Sequence, residues 1–267
     1  MYISEKEKKL HNSYLKNGYI ILPVANKKAF KEIENIFRNV TKSLKLNQNF
    51  NRKIFLNDTH KYVDIKNLNN FRLKIIKKIN NGLNLKELYY EICKPYINSI
   101  VGNELAIQKN INLSIQFPND DSSLLDVHSD TWAGDSSFEV VVWLPLVDCF
   151  KTKSMYILSK RDTKKYSEII LNKNNNLDNL KMFKLIKNKI KWLNVKKGNI
   201  LIFNQNLIHG NHVNLEKDTR WSMNCRFKSI FTPYSEKAIG EYFEPITLRP
   251  ASKDGMFYDA QNLPTAK

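Results

Sequence analysis

The sequence predicts a mainly β core with flanking helices, an α+β chain, and three observations carry that reading. Apolar residues in the first hundred positions recur at helical spacing. From about residue 104 the pattern changes to short β-branched runs and two-residue alternation. A helical pattern returns once, over 163–193, as an insertion between strands. A chain of 267 residues has room for a sizeable core. It is read as one domain over 1–267: a mostly helical part (1–103), a β core with the insertion (104–232) and a C-terminal extension (233–267).

Taken in order, residues 4–17 form a short helix capped by Ser4 and ended near Gly18. Tyr19–Val24 is an apolar strand. Phe30, Ile33, Ile36, Phe37, Val40 and Leu44 mark an amphipathic helix over 27–46. Phe71, Ile75, Ile76 and Ile79 mark another, with a stop at Asn80-Asn81-Gly82, and Leu85–Ile100 carries a third, bent at Pro95. His11 and His60 lie in this half without evident partners and read as surface or core histidines; no chemistry is expected there. Strands follow at Ala106–Gln108 and Ile111–Phe117, the second alternating apolar and polar residues. A turn at 118–121 leads to DVHSDTWAGDSSFEVVVWLPLVDC, residues 126–149, whose apolar run Phe138–Val147 reads as a buried strand. Further strands are expected at Ser154–Leu158, Ile200–Phe203 and, last, Arg220–Phe231, before a loose YDAQNLPTAK tail.

Composition excludes several classes. Hydrophobic content of 42% argues against global disorder. The start is charged, no apolar leader core follows it, and no stretch approaches a membrane span, so the expectation is a cytoplasmic location. Cys93, Cys149 and Cys225 form no CxxC, lie in apolar stretches, and read as buried free thiols. The net charge of +17 comes almost wholly from lysines scattered along an Asn-rich chain. That is a bias of the whole surface rather than a groove, and nucleic acid is not the expected substrate.

The chemistry begins at His128 and Asp130. Residues i and i+2 of extended backbone point to the same side, so the imidazole and the carboxylate can converge on one ion. A third ligand candidate, His209, leaves the end of the apolar strand in KKGNILIFNQNLIHGNHVN, residues 196–214, with His212 as its rival. Beyond them Arg220, Ser222, Asn224 and Arg226 share one face of a strand, and Trp221, Met223, Cys225 and Phe227 the other. Buried, the polar face demands partners, and two arginines there ask for anions. A solvent-facing edge strand is the plain alternative.

The order HxD, a distal His after a Gly-led apolar strand, and R-x-S eleven residues on resembles the Fe(II)/2-oxoglutarate-dependent dioxygenases. The likeness covers about 104–231, with the NGYIILPV opening similar to phytanoyl-CoA-hydroxylase-like members. HSD…WLPLVDC…HGN…RWS looks closest to a branch found in carbohydrate and surface-polysaccharide biosynthesis clusters. The resemblance implies a double-stranded β-helix, a jelly-roll variant. It implies that His128, Asp130 and His209 hold Fe(II) and that Arg220, helped by Ser222, pairs with the distal carboxylate of 2-oxoglutarate. Gly after the ligand favours His209 over His212. Asn112, Gln116 and Trp132 are expected near the pocket, Trp132 either stacking on a sugar or sitting in the core. Asn224 and Arg226 are expected to extend the cosubstrate pocket or meet substrate.

The implied activity is oxidation of a small molecule by molecular oxygen, with a sugar or sugar-derived intermediate as the expected substrate. Because Asp130 is present, halogenation is disfavoured. The alternatives are an acyl- or CoA-ester hydroxylase of the same fold, a non-catalytic metal-binding cupin-like module, and a nucleic-acid or protein demethylase; for the last, no focused basic groove is evident.

Overall fold

The computed structural model describes residues 3–43, 55–81 and 84–256. Along the chain lie α1 (Glu5–Asn17), β1 (Tyr19–Pro23), α2 (Lys27–Ser43), α3 (Phe55–Asp58), α4 (Leu68–Asn80), α5 (Leu85–Glu91) and α6 (Lys94–Ile100). Then come β2 (Leu105–Gln108), β3 (Asn112–Gln116), β4 (Val140–Pro145), β5 (Tyr156–Ile157), α7 (Lys160–Ile170), α8 (Asn179–Ile186) and β6 (Lys191–Trp192). The last elements are β7 (Asn199–Asn204), β8 (His209–Gly210), β9 (Arg220–Ser229), β10 (Phe243–Thr247) and α9 (Pro250–Met256). Leu44 and the end of the expected 27–46 helix, Gly82 of the expected helix stop, and the YDAQNLPTAK tail lie outside the described residues.

Local chemistry sets the boundaries. Ser4 accepts from the Glu7 amide at 3.3 Å while the Glu7 carboxylate accepts from the Ser4 amide at 2.9 Å, a reciprocal capping box that starts α1. The helix ends on Gly18, whose φ of 76° is the left-handed conformation open to glycine. Over 85–100 the single bent helix expected from the sequence is two helices separated at Cys93. Pro95 cannot donate back to Glu91 as a continuous helix requires, and sits instead in the first turn of α6, where that donor is not needed.

The strands form two antiparallel sheets. The larger runs β1-β7-β4-β9-β2-β10, with β3 also paired to β9; the smaller runs β6-β5-β8. Helices α2, α4 and α5 cover the larger sheet through Phe37, Phe71, Ile75 and Tyr89, which meet Trp221, Met223, Cys225 and Phe227 of β9 in one core. All three cysteines are buried and free.

Two sequence expectations are corrected. The insertion starts at Lys160 rather than 163, because the Ser159 hydroxyl caps α7 by accepting from the Asp162 amide at 3.1 Å, and its end is the strand β6 rather than helix. Nor is β9 the last strand: β10 pairs with β2 at the sheet edge, with an irregular register between Pro245 and Thr247. Pro245 lies in this strand, and an edge is where proline is tolerated.

Candidate active site

His128, Asp130 and His209 come together at the mouth-side end of the small sheet, with one potential ligand atom from each within 4.8 Å of the others. The backbone imposes this. His128 and His209 exchange two hydrogen bonds, His128 N–H to His209 O at 3.1 Å and His209 N–H to His128 O at 2.8 Å, so their rings stand side by side with centroids 4.3 Å apart. Asp130 opens a short 3-10 turn, and its amide donates to Gln205 O at 3.1 Å, tying it to the β7–β8 connection. His209, expected to leave the end of the apolar strand, begins β8 and is buried.

The ring nitrogens are already assigned by their neighbours. His128 Nδ1 lies 2.6 Å from Asp126 O and His209 Nδ1 2.8 Å from Leu207 O. A carbonyl accepts only, so both Nδ1 atoms donate, and the Nε2 atoms face the Asp130 carboxylate at 3.5 and 3.9 Å. Burial, together with the charge of His128, lowers the His209 pKa to about 4, which keeps that imidazole neutral and able to ligate. Burial works against charge on Asp130, yet the hydrogen bond from His128 and the charges of His209 and Arg226 win and hold the carboxyl well below its usual range. Burial also works against charge on His128, yet its hydrogen bond to Asp130 wins and raises its pKa. A divalent transition metal takes the place of that proton, and two imidazoles with one carboxylate on one side of an open cavity leave it free positions opposite.

The cavity beside this triad is about 570 Å³ and its floor is the polar face of β9. Arg220 is 3% exposed; its Nη2 donates to Ser114 Oγ at 2.9 Å, while its Nε, and the Ser222 hydroxyl beside it, have no partner among the described residues. Burial with no neighbouring carboxylate lowers the Arg220 pKa to about 10. β9 lies between β4 and β2 with β3, so the edge-strand alternative does not hold. A buried guanidinium with an idle donor is costly unless an anion completes it.

Arg226, on the same face, does something the sequence did not suggest. Its Nη2 lies 3.1 Å from Asp130 Oδ1 and its Nε 3.3 Å from Asp135 Oδ1, while Lys237 Nζ reaches Asp135 Oδ2 at 2.5 Å. It therefore backs the carboxylate of the triad rather than facing a free anion. Asn112 and Asn224 line the cavity and share a hydrogen bond of 3.0 Å.

Two expected pocket residues lie elsewhere. Gln116 is fully buried outside the cavity and donates to His212 O at 2.8 Å, fixing the loop that follows His209. Trp132 packs on the second core cluster under the insertion, with Tyr156 and Tyr166, and does not line the cavity. His212 stacks on Phe183 of α8 at 4.3 Å, away from the triad. Conversely the helical half does contribute: Arg72, Leu73 and Ile76 of α4 line the cavity. Only the departure of Arg72 from the lysine bias of the surface could have flagged it. His60 and His11 have partners after all, Thr219 Oγ1 at 2.9 Å and Ser99 O at 2.7 Å.

No family model and no curated protein matches the sequence. Solved structures do. The nickel complex of the non-heme monooxygenase ThoJ has 12% identity, with 89% of this chain and 84% of that chain covered and a TM-score of 0.50. Apo ThoJ gives 10% identity over the same shares and a TM-score of 0.52. Apo HygX from Streptomyces hygroscopicus gives 12% identity over 87% of this chain and 90% of that one, with a TM-score of 0.50. The chain thus has the fold of this group of non-heme oxygenase structures, across nearly its whole length.

Proposed function

We propose that the protein is an Fe(II)- and 2-oxoglutarate-dependent oxygenase acting on a small molecule, in a double-stranded β-helix core. His128, Asp130 and His209 hold the iron. Arg220 and Ser222 bind the distal carboxylate of 2-oxoglutarate. The observation that carries this reading is the idle Arg220 Nε and Ser222 hydroxyl, both buried and both facing the cavity that the triad opens into. A carboxylate placed there gains charge-assisted hydrogen bonds from both. When bound, iron and cosubstrate supply the oxidation: dioxygen is consumed, 2-oxoglutarate is decarboxylated to succinate, and a substrate carbon is oxidised.

The chain's own residues orient and enclose. The two Nδ1–carbonyl bonds keep both imidazoles in the ligating tautomer. Arg226 fixes the Asp130 carboxylate, Ser114 fixes the Arg220 fork, and the buried floor of β9 keeps water from the acid end of the cosubstrate. A sugar or sugar-derived substrate fits the Asn112–Asn224 amide pair, which offers donors and acceptors to hydroxyls. Its place in surface-polysaccharide biosynthesis rests on the sequence resemblance, and a cytoplasmic site of action is part of the same proposal. Among the described residues no helix is long and apolar enough to cross a membrane.

The test is anaerobic titration of the protein with Fe(II) and 2-oxoglutarate, following the weak visible charge-transfer band of a bound 2-oxo acid. The band is expected in the wild type and absent in Asp130→Ala, which loses metal, and in Arg220→Ala at cosubstrate concentrations that saturate the wild type. Fe(II) binding without the band overturns the reading and leaves a metal protein of another kind.

A further inference from the structure

The cavity has more cationic chemistry than the proposed cosubstrate uses. Three arginines line it, Arg72, Arg220 and Arg226, against one carboxylate, Asp130. Arg220 lies at the floor and is assigned to 2-oxoglutarate. Arg226 is neutralised by Asp130 and Asp135. Arg72 remains. It is half-buried, its Nη2 donates to the neutral Asn69 Oδ1 at 2.7 Å, and it has no ion pair among the described residues.

Its placement is built into the fold. Arg72, Ile76 and Asn80 recur every four residues and share one stripe of α4. Asn80 clamps the end of that stripe to the residue preceding β3: its Nδ2 donates to Ile111 O at 3.0 Å and its Oδ1 accepts from Ile111 N at 2.8 Å. Ile76 lines the cavity one turn earlier and Arg72 one turn before that. Phe71, Ile75 and Ile79, on the adjoining stripe, are buried and lock the rotation of the helix. Beside Arg72 the cavity wall is apolar: Leu73 and Leu125 line it and yet remain 51% and 52% exposed. The Asn112–Asn224 amide pair lines the same cavity.

We propose that Arg72 is a specificity residue, and that the substrate carries an oxyanion, a carboxylate or a phosphate, which its guanidinium binds at the cavity mouth. This rests on the oxygenase reading. A guanidinium in a concave wall attracts and orients an anion through paired N–H donors. The leucines cover an apolar face of the substrate body, such as the C–H face of a sugar ring, and the amide pair takes its hydroxyls. The substrate class is thus an anionic sugar-like molecule rather than a neutral one.

Calorimetric titration of the Ni(II)-loaded full chain tests this, first with 2-oxoglutarate and then, at saturating 2-oxoglutarate, with glucose 1-phosphate, glucuronate and glucose. One or both anions are expected to bind and glucose to bind at least tenfold more weakly; which anion binds separates a phosphate from a carboxylate site. Arg72→Gln is expected to weaken the anion at least tenfold, with Arg72→Lys recovering part of the loss, while the 2-oxoglutarate affinity of both variants stays that of the wild type. Binding of neither anion, equal binding of glucose, or anion binding unaltered in Arg72→Gln each overturns the proposal. Failure of 2-oxoglutarate to bind overturns the oxygenase reading instead, and the anion titrations, repeated without it, still decide whether Arg72 holds an oxyanion.

Discussion

Arg226 shows how one side chain behind a site can matter as much as one in it. The guanidinium touches Asp130 and is itself held by Asp135, Gln205 and Tyr242. Replacing it by methionine keeps the bulk and removes the clamp, so Asp130 gains freedom and loses orientation. Outer partners of metal ligands are worth about 10–100-fold in affinity. Arg226→Met is therefore expected to weaken Ni(II) binding by about that factor in calorimetry, and an unchanged affinity would show that Asp130 is held by the histidines alone. Lys153 is a second residue whose charge is buried, at 1% exposed, with its Nζ 2.9 Å from Asn57 Oδ1 and 3.7 Å from Asp218. Burial lowers its pKa, so the unfolded chain holds that proton more tightly. The sign follows: Lys153 costs stability when charged, and that cost fades as pH rises from its lowered pKa toward the ordinary lysine value. Lys153→Met is expected to flatten this rise of stability with pH, seen as urea midpoints measured across the alkaline range. At this scale the sequence was partly legible. Strict alternation in RWSMNCRF put four polar side chains on one face, and all four line the cavity. What alternation does not give is the direction of a long side chain within its face, so Arg226 was expected at the cosubstrate or substrate, and the anions it meets are Asp130 and Asp135. Gln116 was placed in the pocket on the same facing argument, but lies beyond the strand's reach into it and serves the His212 backbone.

At the scale of elements, β9 joins the site to the rest of the molecule. Its polar face makes the cavity floor, and its apolar face ends in the helical layer, where Trp221 meets Phe37 and Phe71 edge-on at 6.2 and 6.0 Å and donates to Thr59 Oγ1 at 2.9 Å. Trp221→Ala leaves a void and removes one of the hydrogen bonds of the Thr59 hydroxyl, which still donates to Phe55 O at 2.9 Å, and is expected to destabilise the fold by about 3–5 kcal/mol in urea unfolding. A loss below about 1 kcal/mol would mean the helices are not packed on this strand as described. The two-residue strand β8 is held more delicately. A methyl group on Gly210 would stand 2.5 Å from the Tyr156 hydroxyl and 3.0 Å from Asp126 O, so β5 and the 126–128 segment must move aside. Gly210→Ala is expected to cost about 1–3 kcal/mol by overpacking. It should also lower Ni(II) affinity, because His128 and His209 are spaced by that pairing. Elements with long periodic patterns were legible in order and type. The errors fell where one residue decides: Pro95 dividing a helix, Pro245 sitting in an edge strand, and His209 lying on a strand too short to show any period.

At the scale of the whole molecule, a buried charge with no neighbouring carboxylate among the described residues costs stability. Arg220 is buried with an idle Nε, next to a buried idle hydroxyl on Ser222, and no carboxylate is close enough to relieve either. Such a site is destabilising until an anion fills it, which is the usual exchange of stability for function. Two consequences have opposite signs. Without ligand, Arg220→Met is expected to be as stable as the wild type or more stable by about 1–3 kcal/mol, since a buried charge is replaced by an apolar chain of similar length. With metal and 2-oxoglutarate the order reverses: beyond the metal's contribution to both proteins, the wild type gains about 4.1 kcal/mol at a thousandfold excess of 2-oxoglutarate over its dissociation constant, and the variant does not. In a chain of this size that is a rise of several degrees in melting temperature. Differential scanning calorimetry of both proteins, each alone, with Ni(II), and with Ni(II) and 2-oxoglutarate, gives the six melting temperatures. A crossing of the two series is the signature of an anion site held open at the expense of the apo fold. Parallel series, with Arg220→Met lower throughout, would mean that Arg220 is an ordinary structural residue whose bond to Ser114 suffices, and the cosubstrate assignment would fall with it.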